Sequence, residues 1–296
     1  MTAISPGVYT ALVTPFQADA RSIDWDAYER LVASQIEGGI TGLIPVGTTG
    51  ESPTLSEAEQ REIAHRTVKL AKGRAKVIVG TGSNDTKKTI HTSRAAVEAG
   101  AEGLLLVVPY YNRPPQEGLY QHFAAVAREV PVPIILYNVP HRTGIELSVE
   151  TVLRILDACP NVVGLKDASG NVHYCQDLLY RAGERVTVLS GDDPLVLPLM
   201  SVGAEGVISV TSNLYPRQMT ELVKDALAGR NAEARAKNRR ILPVHRALFS
   251  EPSPQPIKAA LALQGRMNAI PRLPLVEASP ECKAHLSEVM RAFEAP

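Results

Sequence analysis

Lys166 is the residue whose setting most invites chemistry. It follows directly on the apolar run Val162-Val163-Gly164-Leu165. An ammonium at the end of a buried strand is expensive to desolvate, so its pKa falls. A lysine tuned toward neutrality can attack a ketone and form a Schiff base. A strand-end lysine can equally pair with Asp167 or another carboxylate. Tyr137 ends the apolar run at 134–138. Its phenol can shuttle protons beside such an amine, or sit at a rim with its hydroxyl satisfied. Gly47-Thr48-Thr49-Gly50 presents two hydroxyls and free backbone N–H groups, a nest that suits a carboxylate or phosphate. The Walker A and Rossmann patterns are missing, and a glycine-permitted turn with capping threonines fits the same residues. Tyr110 and Tyr111 stand on stiff backbone between Pro109 and Pro114. One ring can pack while the other reaches a partner or ligand. Arg142 can fork onto a substrate carboxylate or make a surface salt bridge.

Other chemistries find little support. The seven histidines are scattered, and none forms an i,i+4 pair with an interposed Glu. The three cysteines (Cys159, Cys175, Cys282) are odd in number and widely spaced, which matches no disulfide framework and no zinc pattern. Asp192-Asp193 could hold Mg²⁺, but two adjacent carboxylates alone are weak evidence.

These residues fall at the ends of short apolar runs. Eight runs recur, at 9–13, 42–46, 76–81, 104–108, 134–138, 162–166, 186–190 and 206–210. Most are continuous rather than alternating, as in strands buried on both faces. Helical segments lie between them. Asp24 can cap a helix ended by Gly38-Gly39. Ser56 with Glu59 reads as a capping box opening a helix that runs to Gly73. Further helices are expected at 86–99, 117–128, 149–158, 174–182 and 194–200. Eightfold strand–helix alternation predicts an α/β fold, a (β/α)8 TIM barrel, over residues 1–225. An open doubly wound sheet is the competitor, but its glycine fingerprint is missing after the first strand. Helices at 218–227, 232–249 (kinked at Pro243), 257–263 and 280–294 imply a C-terminal helical extension over 226–296. In such barrels the active site lies at the C-terminal strand ends, where Lys166, Tyr137, the Thr48-Thr49 turn and Arg142 all fall.

The 296 residues are 45% hydrophobic and 21% charged, with 31 basic side chains offsetting 31 acidic ones. That balance argues against nucleic acid as a partner. The longest apolar stretch, 104–109, is far short of the ~20 residues that cross a bilayer. Met1 to Gly7 lacks a basic segment followed by an apolar core, so no secretory signal is expected. A cytoplasmic protein acting on something small fits these properties.

Four blocks carry a more specific signal: Gly47-Thr48-Thr49-Gly50-Glu51-Ser52, Pro109-Tyr110-Tyr111-Asn112-Arg113-Pro114, Tyr137-Asn138-Val139-Pro140-His141-Arg142-Thr143-Gly144 and Gly164-Leu165-Lys166-Asp167-Ala168-Ser169-Gly170. With them the chain resembles the dihydrodipicolinate synthase / N-acetylneuraminate lyase family of Schiff-base-forming barrels. The likeness extends from Gly7 to Ala260. It is strongest to the branch that condenses pyruvate with aspartate semialdehyde in lysine (diaminopimelate) biosynthesis. The resemblance implies that Lys166 forms an imine with pyruvate and that no metal or organic cofactor is needed. It further implies that Thr49, beside Thr48, holds the pyruvate carboxylate, and that Tyr137, Thr48 and Tyr111 form a hydroxyl relay. Tyr111 would come from a neighbouring subunit, making a dimer the minimum unit and a tetramer of two dimers the expected assembly. Arg142 would receive the semialdehyde carboxylate, and Gly191 and Ile208 would add backbone or apolar contacts.

The alternatives are an N-acetylneuraminate lyase, a 2-keto-3-deoxygluconate aldolase, or a catalytically silent barrel that binds 2-oxo acids. A sugar acid needs a polyhydroxyl-binding surface, whereas Arg142 and the tyrosine pair suit a carboxylate-bearing aldehyde. The silent barrel would have lost the lysine or the relay, and both are present.

Some members of this family bind lysine as a feedback inhibitor. Asn84 and Tyr110 match positions used there. Glu57 and Gln60 stand where histidines are common, and Lys88 where a carboxylate meets the ligand's ammonium. Ser253 replaces a common asparagine near the site. A cation at Lys88 repels lysine, so weak or absent inhibition is expected; strong inhibition at sub-millimolar lysine in an activity assay would refute it.

Overall fold

The computed structural model describes residues 4–295; the first three residues, read above for a secretory signal, lie outside them. Eight parallel strands run in sequence around a closed barrel: β1 Gly7–Ala11, β2 Gly42–Ile44, β3 Lys76–Gly80, β4 Gly103–Val107, β5 Ile134–Asn138, β6 Val162–Asp167, β7 Thr187–Ser190 and β8 Gly206–Ser209. The last strand pairs back onto the first, with Val8 beside Val207 and Thr10 beside Ser209.

The apolar runs are nearly continuous because each strand is buried on two sides. In β4, Leu105 points into the barrel while Leu104 and Leu106 pack outward against the helices. Inside, Tyr9, Ile44, Ile78, Leu105, Ile135, Leu189 and Ile208 form one packed cluster. The barrel is therefore filled with side chains rather than open as a channel.

Helices cover the outside: α1 Trp25–Glu37, α2 Glu57–Ala71, α3 Thr86–Glu98, α4 Gln116–Glu129, α5 Pro140–Thr143, α6 Val149–Ala158, α7 Val172–Ala182, α8 Val196–Ser201 and α9 Pro216–Leu227. Their starts are set by local chemistry. Asp24 accepts from Ala27 N at 3.0 Å, and the Ser56–Glu59 capping box forms in both directions. Three further helices follow: α10 Asn231–Leu248, with Pro243 inside it, α11 Gln255–Leu263 and α12 Pro280–Glu294. Ile257, Leu261, Leu286 and Phe293 belong to the same apolar core as the barrel's outer face. None of the described helices is long and apolar enough to cross a membrane.

The differences from the sequence reading are local. Strand β1 ends at Ala11 rather than Val13, because Val13 N is taken by the Asn213 side chain at 3.2 Å instead of a neighbouring strand. Helix α7 begins at Val172, two residues early, because Asn171 accepts from His173 N and Tyr174 N. A 3-10 turn over Asp193–Leu195 precedes α8. The one-turn helix α5 has no periodicity to betray it, yet it carries His141 and Arg142.

Asn213 closes the seam between β1 and β8. Its amide donates to Ala11 O at 2.8 Å and Val210 O at 2.9 Å, while its carbonyl oxygen accepts from Val13 N. The side chain is fully buried. Asn213→Ala leaves several of these groups without partners, so it should lower unfolding stability by about 2–3 kcal/mol in a urea titration.

Candidate active site

The site is built at the C-terminal ends of β2, β5, β6 and β7. Lys166 lies in β6, beside Tyr137 of β5 and Leu189 of β7. Alternation along β6 turns Lys166 inward and Asp167 outward. Asp167 accepts from Ser169 N at 2.9 Å and does not neutralise the lysine. Only 6% of Lys166 is exposed, and its Nζ lies 4.1 Å from the centre of the Tyr137 ring.

Burial pushes the Lys166 amine down to about 7. Asp193 pulls it back up, and Arg142 lowers it further. Near neutral pH a large fraction of the amine therefore carries a free lone pair, which makes it nucleophilic. Burial pushes the Tyr137 phenol up to about 12; the Arg142 charge pulls it down, and the Asp192 carboxylate adds to the rise. It stays protonated and can donate or relay a proton.

Gly191 makes room for the lysine stem. A Cβ there would sit 3.0 Å from Lys166 Cε and Cγ and 2.8 Å from Ala168 Cβ. Its N–H donates to Asp167 O at 2.6 Å, which fixes the turn leaving β7. Ile208 is buried in the interior cluster with Tyr137 and Leu189.

The Gly47–Gly50 turn stands over the end of β2. Thr49 is buried and Thr48 half-buried. Thr14 Oγ1 donates to Gly50 O at 2.7 Å and ties this turn to the chain leaving β1. Arg142, on α5 directly after β5, is exposed, and one guanidinium nitrogen reaches Ser253 O at 3.4 Å. Ser253 thus supports the arginine through its backbone and is itself buried.

Tyr111 is not brought to the lysine within this chain. Its ring is 89% exposed, and its backbone takes the left-handed conformation (φ 73°). Tyr110 is half-buried next to it. Asn112 Nδ2 donates to Asn84 O at 2.8 Å, joining the loops after β3 and β4. Lys88 lies exposed on the first turn of α3, whose N-terminus Asp85 caps. Gln60 donates to Ser52 O and Leu55 O, and Glu57 pairs with His91 across α2 and α3.

Sequence reasoning missed Asp193. It is buried, and its Oδ2 accepts from Val210 N at 2.8 Å and Thr211 N at 3.0 Å. Those bonds hold its charge near Lys166 and make it an electrostatic counterweight rather than half of a metal site. Thr211 in turn bonds His245 Nδ1 at 2.8 Å. The only signal available was an acidic doublet directly after a strand. Asp192, half-buried beside it, has its carboxyl pushed up to about 6 by burial and the neighbouring Asp193 charge.

Comparison with known proteins agrees with this geometry. Residues 5–293 match the dihydrodipicolinate synthetase family. A 4-hydroxy-tetrahydrodipicolinate synthase of Sorangium cellulosum is 56% identical over 289 residues, covering 98% of this chain and 96% of that protein. The solved 4-hydroxy-tetrahydrodipicolinate synthase of Methylacidiphilum fumariolicum SolV has a TM-score of 0.96 at 44% identity, covering 98% of this chain and 96% of that one. A dihydrodipicolinate synthase of Acinetobacter baumannii, solved in complex with pyruvate, has a TM-score of 0.95 at 41% identity over 97% and 98% of the two chains.

The balance of charges around Lys166 can be measured directly. Because its folded pKa is depressed, the amine gains reactivity as pH rises through about 7, well below the range of exposed lysines. Labelling by an amine-directed reagent, followed by peptide mass spectrometry, should show that midpoint at Lys166. Asp193→Asn removes the one charge that raises it and should shift the midpoint to lower pH.

Proposed function

The chain belongs to the dihydrodipicolinate synthetase family, and on that premise we propose that it condenses pyruvate with L-aspartate 4-semialdehyde through an imine on Lys166. Its activity is that of a 4-hydroxy-tetrahydrodipicolinate synthase, a lyase of lysine (diaminopimelate) biosynthesis. The supporting observation is the buried, partly uncharged amine of Lys166 under the Tyr137 ring at the mouth of the barrel.

The chemistry follows from that amine. Its lone pair adds to the keto carbon of pyruvate, and the keto oxygen leaves as water. The resulting imine withdraws electrons from the methyl group, which loses a proton and becomes an enamine carbon. That carbon attacks the aldehyde of the semialdehyde. The semialdehyde's own amine then adds to the imine carbon, expels the Lys166 amine and closes a six-membered ring. The protein's covalent adduct stores the electron pair, so the reaction needs no metal or organic cofactor.

The remaining roles fit the positions described. Thr49 and the backbone N–H groups of its turn receive the pyruvate carboxylate. Tyr137 and Thr48 relay protons, and Tyr111 completes the relay from a second copy of the chain. An aromatic ring held almost wholly in solvent on left-handed backbone supports that assignment, since apolar area of this size gains from burial. Two such dimers form a tetramer. Arg142 receives the carboxylate of the semialdehyde, while Gly191 and Ile208 shape the wall around the adduct. We place the enzyme in the cytoplasm, where both substrates are small and soluble.

Borohydride added with pyruvate should leave a reduced adduct on Lys166, visible as a mass gain; an unmodified lysine would overturn the reading. Aspartate semialdehyde should be consumed with pyruvate, in preference to N-acetylmannosamine or glyceraldehyde. Tyr137→Phe should lower kcat by about 10²–10⁴-fold, as expected for a lost proton relay. Arg142→Ala should instead raise the KM for the semialdehyde by about tenfold or more, as expected for a lost carboxylate fork.

A further inference from the structure

The turn carrying Thr48 and Thr49 is bracketed by two residues on left-handed backbone, Val46 (φ 59°) and Glu51 (φ 59°). A β-branched valine in that region is an outlier that the surroundings must hold in place. On the near side, Gly80 N donates to Pro45 O at 3.0 Å. The far side is held by a buried ion pair between Glu51 Oε1 and Lys258 Nζ, whose side chains are 1% and 0% exposed.

This pair joins the β2 turn to α11. Glu51 Oε2 accepts from Arg272 N at 2.8 Å, and Lys258 also donates to Ile270 O at 3.0 Å. Lys258 Nζ lies 4.2 Å from the Phe16 ring centre, and the Arg272 guanidinium 4.3 Å from it. Arg272 then donates to Ala20 O, Thr54 O and both carboxylate oxygens of Glu59, each within 2.9 Å. The segment on either side of the turn is thus fastened to the C-terminal helices. None of these side chains belongs to the chemistry proposed above.

A fully buried ion pair is poor value for stability, because desolvation of both charges offsets their attraction. Directional bonds to a strained turn are a better reason to keep it. We propose that Lys258 and Glu51 are positioning residues, holding the Thr48-Thr49 turn in the geometry that receives the pyruvate carboxylate. The inference deepens the proposed function and rests on it. The C-terminal helices then take part in substrate recognition without touching substrate.

Borohydride trapping titrated with pyruvate tests this role. The double variant Lys258→Met/Glu51→Leu removes both charges together and leaves neither one buried alone. It should keep a Tm close to the parent and still trap pyruvate on Lys166 at saturation. The half-saturating pyruvate concentration should rise about tenfold or more, as expected for a misplaced binding group. Glu51→Gln keeps an acceptor at the same place and should hold half-saturation within about threefold of the parent, whereas Glu51→Ala should raise half-saturation as the double variant does and, because it strands the buried Lys258 ammonium, also lower the Tm. A folded double variant with half-saturation within about twofold of the parent overturns the positioning role while the function stands. An unmodified Lys166 in the parent overturns the function and this role with it. If the double variant does not fold, hydrogen exchange on the parent decides. Amides of residues 46–51 should exchange as slowly as those of α11, and rapid exchange there overturns the role.

Discussion

The desolvation of a single ammonium governs this molecule. Water would hold the Lys166 proton tightly, and the barrel withholds water from it. Everything needed to do so is assembled around one side chain. Tyr137 covers it with a ring face, Leu189 stands beside it on β7, and Gly191 yields the space its stem occupies. Asp193 keeps the tuning from going too far, because its carboxylate favours the charged form that burial disfavours. A lysine left fully neutral would be a good nucleophile at the start. It would also lack the proton needed to expel the keto oxygen as water.

The fold supplies this environment because alternation along a buried strand separates neighbouring residues by function. Lys166 and Asp167 are adjacent in sequence and face opposite sides of β6. The buried amine therefore escapes its nearest carboxylate and meets one on a different strand end. The same alternation gives the barrel two apolar layers, an inner one under the site and an outer one beneath the helices. The C-terminal helices share the outer layer and reach back to the mouth through Lys258 and Arg272.

Much of this was legible in the residues. Apolar runs, most of them continuous, marked all eight strands, and the rule that barrels work at their C-terminal strand ends pointed to Lys166, Tyr137 and the threonine turn as candidates. Helix starts were readable wherever one side chain caps one backbone, as at Asp24 and Ser56. What escaped were contacts between distant parts of the chain. Asp193 gains its meaning from Val210 and Thr211, 17 and 18 positions away, which aim its charge. Glu51 meets Lys258, and Arg272 lies 221 positions beyond Glu51. Neither link leaves a local pattern. The turn α5 was invisible because four residues are too few to show a helical period. Tyr111 could be named from the sequence only through likeness to a family, since its ring stands 89% exposed and no contact within the chain marks it.

The packed interior described above has a kinetic meaning. Tyr9, Ile44, Ile78 and Ile135 plug the barrel beneath Lys166, so its nitrogen is closed off from below. On the function proposed above, substrate and product share the way in at the strand ends. Whatever bonds to the amine must arrive first, because a later arrival at the rim would bar its way down. In the proposed reaction the newly closed ring likewise departs upward before another keto acid descends, and the order of events is imposed by plumbing as much as by reactivity.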